Sequence, residues 1–222
     1  MSAKNKLDQY FTKPEVARYY SEKIKELLGE DNNFIEPSAG EGAFSFNFKG
    51  IQSYDLAPRF NGCHKQDFLS KDFLPELGAV FVGNPPFGKN SSLALKFLNK
   101  CCESNAKAVC FILPKTFKKR FFQERVNLSY SVSYEEDVPK NSFLLDGMPY
   151  DVPCVFQIWS PCKREQFDIE NIWFEEVPKS EAEFCVRRVG GKAGTILEGL
   201  DHSESSTYFL KELCHGVKEK IK

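Results

Sequence analysis

The residues with the clearest chemical potential are Asn84, Pro85, Pro86 and Phe87, set between Gly83 and Gly88. The Asn84 side-chain oxygen accepts hydrogen bonds, and so does the carbonyl of Pro85, a residue without an N–H. Two acceptors held side by side can take both protons of one –NH2 group. That draws the nitrogen lone pair out of conjugation and turns it toward an electrophile. Phe87 offers a flat face for stacking. The arrangement suits an exocyclic amine on a planar ring, or a planar amide. Gly83 to Asn90 also spells G-x-x-x-x-G-K-N, close to a phosphate-binding Walker loop. That loop needs Ser or Thr where Asn90 stands, and free backbone N–H groups, two of which the prolines remove. A plain Pro-Pro turn ending a strand is the remaining alternative.

An electrophile must be held nearby. In Glu36-Pro37-Ser38-Ala39-Gly40-Glu41-Gly42, a short apolar run leads into an acidic residue, small residues and glycines. Glycines let backbone approach a ligand closely. The loop is not the G-x-G-x-x-G dinucleotide fingerprint, because Ser45 occupies the last position. Glu36 would repel a pyrophosphate and attract a cation. S-adenosylmethionine fits that requirement, with a sulfonium, an ammonium and no phosphate. A tight strand-to-helix turn would use the same small residues. Asp55 ends the next apolar run, where a carboxylate commonly accepts hydrogen bonds from ribose hydroxyls. Asp67-Phe68 would suit an adenine ring. Asp72-Phe73 repeats the dipeptide, but Lys71 to Pro75 reads as a turn, which favours Asp67.

These residues need elements to position them. Thr12 and Glu15 have capping-box spacing ahead of a helix from about Lys13 to Leu28, stopped by Gly29. Apolar, β-branched runs predict strands at Phe34–Glu36, Ile51–Asp55, near Cys63, at Ala79–Val82 and at Ala108–Leu113. Ser91 or Ser92 can cap a helix running to about Glu103. Each candidate loop then leaves the carboxyl end of a strand, where open α/β sheets bind ligands. From Leu128 onward the pattern is β, with strands Leu128–Tyr134 and Pro153–Trp159 joined by a loop containing the Asp146-Gly147 turn signal. Lys115, Lys118, Lys119 and Arg120 cluster after the fifth strand, on the rim of the Asn84 loop. A solvated helix face and a phosphate contact are both open to them.

The 222 residues suffice for one substantial core. The net charge of −1 excludes a global basic field, so any nucleic-acid contact must come from local patches. No apolar run reaches membrane-spanning length and the start is not a secretory signal, so a soluble cytoplasmic protein is expected. Eight cysteines form no C-x-x-C pair and three histidines are present, which argues against a metal site or a disulfide framework. No composition shift marks a linker. The expectation is a single domain over 1–222, with a core at 8–160 and a C-terminal extension at 161–222 that contacts the target. That extension contains acidic and aromatic residues interleaved over Phe167–Val177 and a basic, glycine-rich turn at Val186–Lys192.

The ordered set of motifs, from about Asp8 to Trp159, resembles the class I S-adenosylmethionine-dependent methyltransferases. Within them it is most similar to the N-P-P-F amino-methyltransferases, above all the adenine-N6 DNA methyltransferases of bacterial and phage type. The resemblance rests on the Phe-Thr-Lys-Pro lead-in, the Glu36 to Gly42 loop, Asp55, Asp67-Phe68 and Asn84 to Phe87. It implies a Rossmann-like, seven-stranded, mostly parallel α/β sheet with helices on both faces and its last strand antiparallel. It implies S-adenosylmethionine as cofactor, with Phe11 and Thr12 bordering it. Glu36, Ala39, Gly40 and Gly42 would surround its methionine part, with Asp55 at the ribose and Asp67 and Phe68 at the adenine. Asn84 and Pro85 would position the target amine and Phe87 would stack on the base. The implied partner is nucleic acid, DNA ahead of RNA, with adenine in RNA or a protein glutamine as alternative acceptors. A non-catalytic subunit of a methyltransferase pair is the rival reading.

Overall fold

The runs Val80–Gly83 and Ala108–Leu113 are buried at every position, and Cys154–Trp159 equally so, as expected for strands covered on both faces. They form the centre of the sheet in a computed structural model that describes residues 10–145, 147–162, 174–187, 196–197, 199–202 and 207–212. By contacts the chain divides into two compact units at residues 164 and 165.

The first unit begins with β1 (Phe11–Thr12) and α1 (Pro14–Leu28), followed by β2 (Phe34–Glu36), β3 (Gln52–Asp55), β4 (Cys63–Lys65) and β5 (Val80–Gly83). After α2 (Ser92–Glu103) come β6 (Ala108–Pro114), the short α3 (Arg120–Gln123), β7 (Tyr130–Asp137), β8 (Phe143–Leu145), β9 (Met148–Tyr150) and β10 (Cys154–Pro161). Seven strands make one sheet in the order β4-β3-β2-β5-β6-β10-β7. The strands from β2 to β6 pair in parallel, and β10 runs antiparallel to both its neighbours. This is the expected mostly parallel sheet with an antiparallel last strand.

Helices cover both faces. Phe156 pairs with Ile112 and Phe81 with Val109. Ile112 and Val109 are an odd number of positions apart on β6, so the two phenylalanines point to opposite faces. Tyr20 of α1 stacks on Phe156 at 4.3 Å. On the other face Phe97 of α2 stacks on Phe68 at 5.2 Å, and Phe68 meets Phe81 edge-on.

Three local expectations need correction. Thr12 does not cap α1. It lies in β1, paired with Phe143, and Lys13 takes the cap position without a side-chain bond. Ser91 occupies the cap position of α2 but makes no capping bond, because its hydroxyl pairs with Thr116 Oγ1 at 3.2 Å. The loop expected before the last strand contains a hairpin, β8–β9, which joins β1 in a separate three-stranded sheet. Pro149 is tolerated there because β9 is an edge strand.

The second unit contains β11 (Phe174–Glu176), β12 (Phe184–Arg187), β13 (Ile196–Leu197) and β14 (Thr207–Glu212), an antiparallel sheet in the order β11-β14-β12-β13. Asp8, Asp146, residues 167–173 and the turn residues 188–192 lie outside the described residues. Among the described residues no helix is long and apolar enough to cross a membrane.

Candidate active site

β2 and β5 are parallel neighbours, so their carboxyl ends bring Glu36 and Gly83 together. A Cβ on Gly83 would lie 3.3 Å from the Glu36 side chain, and its φ of 136° is one that glycine tolerates. The chain then turns through Asn84 to Phe87. The Phe87 carbonyl accepts the N–H groups of Leu93 and Ala94, which ties the loop to the first turn of α2. Gly88 is required at that junction, since a Cβ would stand 2.6 Å from Leu93 Cβ.

Asn84 donates from Nδ2 to the backbone oxygen of Tyr10 at 3.1 Å. That bond fixes which end of the amide is which. Its Oδ1 is buried and has no hydrogen-bond partner among the described residues. A buried carbonyl oxygen left unpaired costs roughly 1–3 kcal/mol. Asn84 lines a cavity of about 320 Å³ together with Pro85, Pro86 and Phe87. The same cavity is lined by Phe11, Gly40, Asp55, Asp67 and Phe68. A smaller recess of about 40 Å³ adds Thr12, Glu36 and Ala39, and shares Gly40 and Asn84 with the larger one. The Asn84 loop and the small-residue loop therefore meet in one place.

The electrostatics come from two carboxyl groups. Asp55 accepts N–H bonds from Gly40 and Ala57, one on each oxygen at 2.8 Å, which pins the glycine loop to the end of β3. Each oxygen keeps a lone pair for another donor. Glu36 is 2% exposed. Burial pushes its pKa up to about 8, opposed by hydrogen bonds from the Ser45 hydroxyl and backbone, and Asp55 adds repulsion. Ser45 in turn meets Ser53 at 2.7 Å. A cation in the recess would hold Glu36 ionised.

Other predicted residues divide by role. Asp67 accepts the Leu69 N–H at 2.9 Å and lines the cavity, whereas Asp72 does not. Phe68 is almost wholly buried and already stacked on Phe97, so its ring serves the core as well as the cavity. Gly42 lines neither cavity. Its φ is 86°, and a Cβ would meet the Phe46 and Phe60 rings at 2.8–3.0 Å, so glycine is needed there for the turn. Lys115, Lys118, Lys119 and Arg120 also line neither. Lys115 pairs with Asp137, Lys118 with Asp137 and Glu135, and Arg120 with Glu124.

Sequence reasoning missed Tyr10. Its ring stacks between Phe87 and Tyr150, and it lines the cavity. Gln66 and Leu56 line it as well; each adjoins a candidate acidic residue, Asp67 or Asp55, and that adjacency is the signal the sequence offers for them.

No protein-family profile matches the chain. A stretch of 156 residues is 27% identical to Protein ENHANCED DOWNY MILDEW 2 of Arabidopsis thaliana, covering 63% of this chain and 12% of the plant protein. The chain thus corresponds to a small part of that relative. Among solved structures, a candidate RNA methyltransferase from Pyrococcus horikoshii superposes with a TM-score of 0.52 at 16% identity, over 72% of this chain and 92% of the other. A modification subunit of a candidate type I restriction enzyme from Vibrio vulnificus gives 0.54 at 10% identity, over 92% of this chain and 55% of the other. With the strand order and directions described above, these likenesses establish the fold: this chain has the Rossmann-like architecture of the class I methyltransferases.

Proposed function

We propose that the chain is an S-adenosylmethionine-dependent methyltransferase acting on the N6 amine of adenine in nucleic acid, with DNA the favoured acceptor. The observation that carries this reading is Asn84: its Oδ1 is a buried, oriented acceptor without a partner among the described residues, and the residue lines a cavity that also presents Asp55 and adjoins Glu36. A cavity of about 320 Å³ lies within the size range of small-molecule sites.

Asp55 would take the ribose hydroxyls and Asp67 the adenine amino edge of the cofactor, while Glu36 would face its cationic part. Phe11 and Gly40 would wall it, the ring lying within 3.2 Å of where a Gly40 Cβ would stand. Bound there, S-adenosylmethionine supplies an electrophilic sulfonium methyl, which the acceptor nitrogen takes as it gives up one proton to water and sulfur keeps the electron pair. Asn84 Oδ1 and the Pro85 carbonyl accept both amine protons and aim the lone pair. Neither group is basic enough to take a proton outright. Phe87 gives the ring a face to lie on, and the base must leave its stack to reach it. Rate enhancement then comes mainly from orientation.

The test is incubation with methyl-labelled S-adenosylmethionine and separate DNA, RNA and protein pools, followed by digestion. The expected product is N6-methyladenosine from a nucleic acid, in the deoxy form for DNA. Label recovered solely on glutamine, or on no polymer at all, overturns the reading.

A further inference from the structure

We propose that Phe87, Tyr10 and Tyr150 form one stacking platform that selects an unpaired strand, with the nucleotide beside the target base stacking on Tyr150. This rests on the nucleic-acid reading above and adds the strandedness of the substrate.

The three rings come from the Asn84 loop, the segment before β1, and β9. Phe87 and Tyr10 are 6.3 Å apart at 28°, and Tyr10 and Tyr150 are 5.4 Å apart at 14°. Exposure rises along the series, from 8% at Phe87 through half-buried Tyr10 to 40% at Tyr150. Phe87 and Tyr10 line the cavity and Tyr150 does not, so the rings lead from the cavity toward solvent. Tyr150 sits on a braced element. It pairs with Phe143, which is fully buried, and β8 is held in turn by β1. Met148, two residues earlier on the same face and 69% exposed, extends the apolar surface.

The chemistry points to bases. Every base has a π face, so a flat, pre-positioned ring binds them with little sequence preference, at roughly 1–3 kcal/mol per stacked base. In a duplex those faces are already occupied by neighbouring pairs, and only an unpaired or opened strand can offer one. The Lys115 N–H donates to the Pro153 carbonyl at 3.0 Å, which sets the basic turn beside the segment leaving the hairpin. Lys115 and Lys118 are neutralised by acidic partners, while Lys119 has no ion pair among the described residues and is placed to meet a phosphate.

The experiment uses the full chain and short fluorescein-labelled strands with one central adenine, as DNA and as RNA. Matched strands carry an abasic site at either neighbour, and a duplex of the same sequence serves as control. Binding is read by fluorescence polarisation and methylation by label transfer. Tyr150→Ala is expected to weaken binding to intact single strands about tenfold, with the loss falling on KM rather than kcat. Tyr150→Trp should restore binding, and its added indole fluorescence should be quenched by the strand. With the relevant neighbour abasic, and with the duplex, wild type and Tyr150→Ala should bind alike. A Tyr150→Ala variant that binds intact strands as wild type does, or that loses the same factor on abasic strands, overturns the platform alone if the wild type methylates adenine. A wild type that neither binds nor methylates any strand overturns the functional reading and the platform with it.

Discussion

Along the Glu36–Asp55 wall of the cavity both carboxyl groups are partnered, while Thr12 Oγ1 in the Glu36 recess is buried with no hydrogen-bond partner among the described residues. Asp55 holds two backbone N–H groups, and Glu36 is met by Ser45 and, through it, Ser53. Along the Asn84 wall the side-chain oxygen meets nothing among the described residues, and the rest of its loop offers two prolines and Phe87. The two carboxyl groups are thus held by the protein itself, whereas the Asn84 oxygen is not. Buried polar atoms are almost always satisfied, so an unpartnered oxygen on a residue that lines a cavity calls for an explanation.

The largest expected effect attacks the Asn84 wall. Asn84→Ala should lower kcat for methyl transfer by about 100-fold or more, as loss of a preorganised hydrogen-bonding group does elsewhere. Calorimetry should find its cofactor affinity essentially unchanged. Wild-type turnover would erase the distinction between the walls. Next comes the junction that holds the loop to α2. Gly88→Ala places a methyl 2.6 Å from Leu93 Cβ at a φ of 70°. It should cost on the order of 2 kcal/mol and lower Tm by roughly 4–8 °C, whereas Gly50, with nothing within 4 Å, should tolerate Ala with a smaller loss.

Glu36 gives a pH test of the other wall. Its carboxyl is raised from 4.5 to about 8, so between those values the folded protein holds a proton that the unfolded chain has lost. Stability of the free protein should therefore be full below that window and fall as pH rises through it. A cationic cofactor favours the ionised form, so its affinity should rise with pH up to about 8, with a proton released on binding. Glu36→Gln should flatten both profiles. Thermal melts across pH and calorimetry in buffers of different ionisation enthalpy would read them. The smallest effect concerns the rim. Lys119→Ala should reduce the slope of log affinity for a nucleic-acid strand against log salt by about one. Lys118→Ala should change it less, because Glu135 and Asp137 already neutralise that charge.

Much of this was legible in the chain itself. The strands carry β-branched, apolar runs, and the carboxylates and glycines that matter stand where those runs stop, so Glu36, Gly40, Asp55 and Asn84 could be read locally. What was hidden depends on contacts between distant segments. Tyr10 carries no motif of its own, and its place at the cavity depends on Phe87 and Tyr150 being brought against it. Thr12 has the spacing of a cap, but pairing with Phe143 draws it into a strand. Gly42 follows the expected pattern for ligand approach and instead makes room for Phe46 and Phe60. The basic run reads as free charge because its acidic partners, Glu135 and Asp137, lie on the far side of a turn and a short helix.

The pairing of β1 with β8 has a consequence for how the protein comes into being. Phe11 and Thr12 are made before most of the rest of this unit, yet the strand that holds them arrives only with Phe143 and Leu144. Until then the segment that lines the pocket beside the Asn84 loop and the glycine loop has no strand to pair with. Synthesis of this unit must therefore run past Leu144 before the strand bearing Phe11 is paired in place beside the pocket it lines.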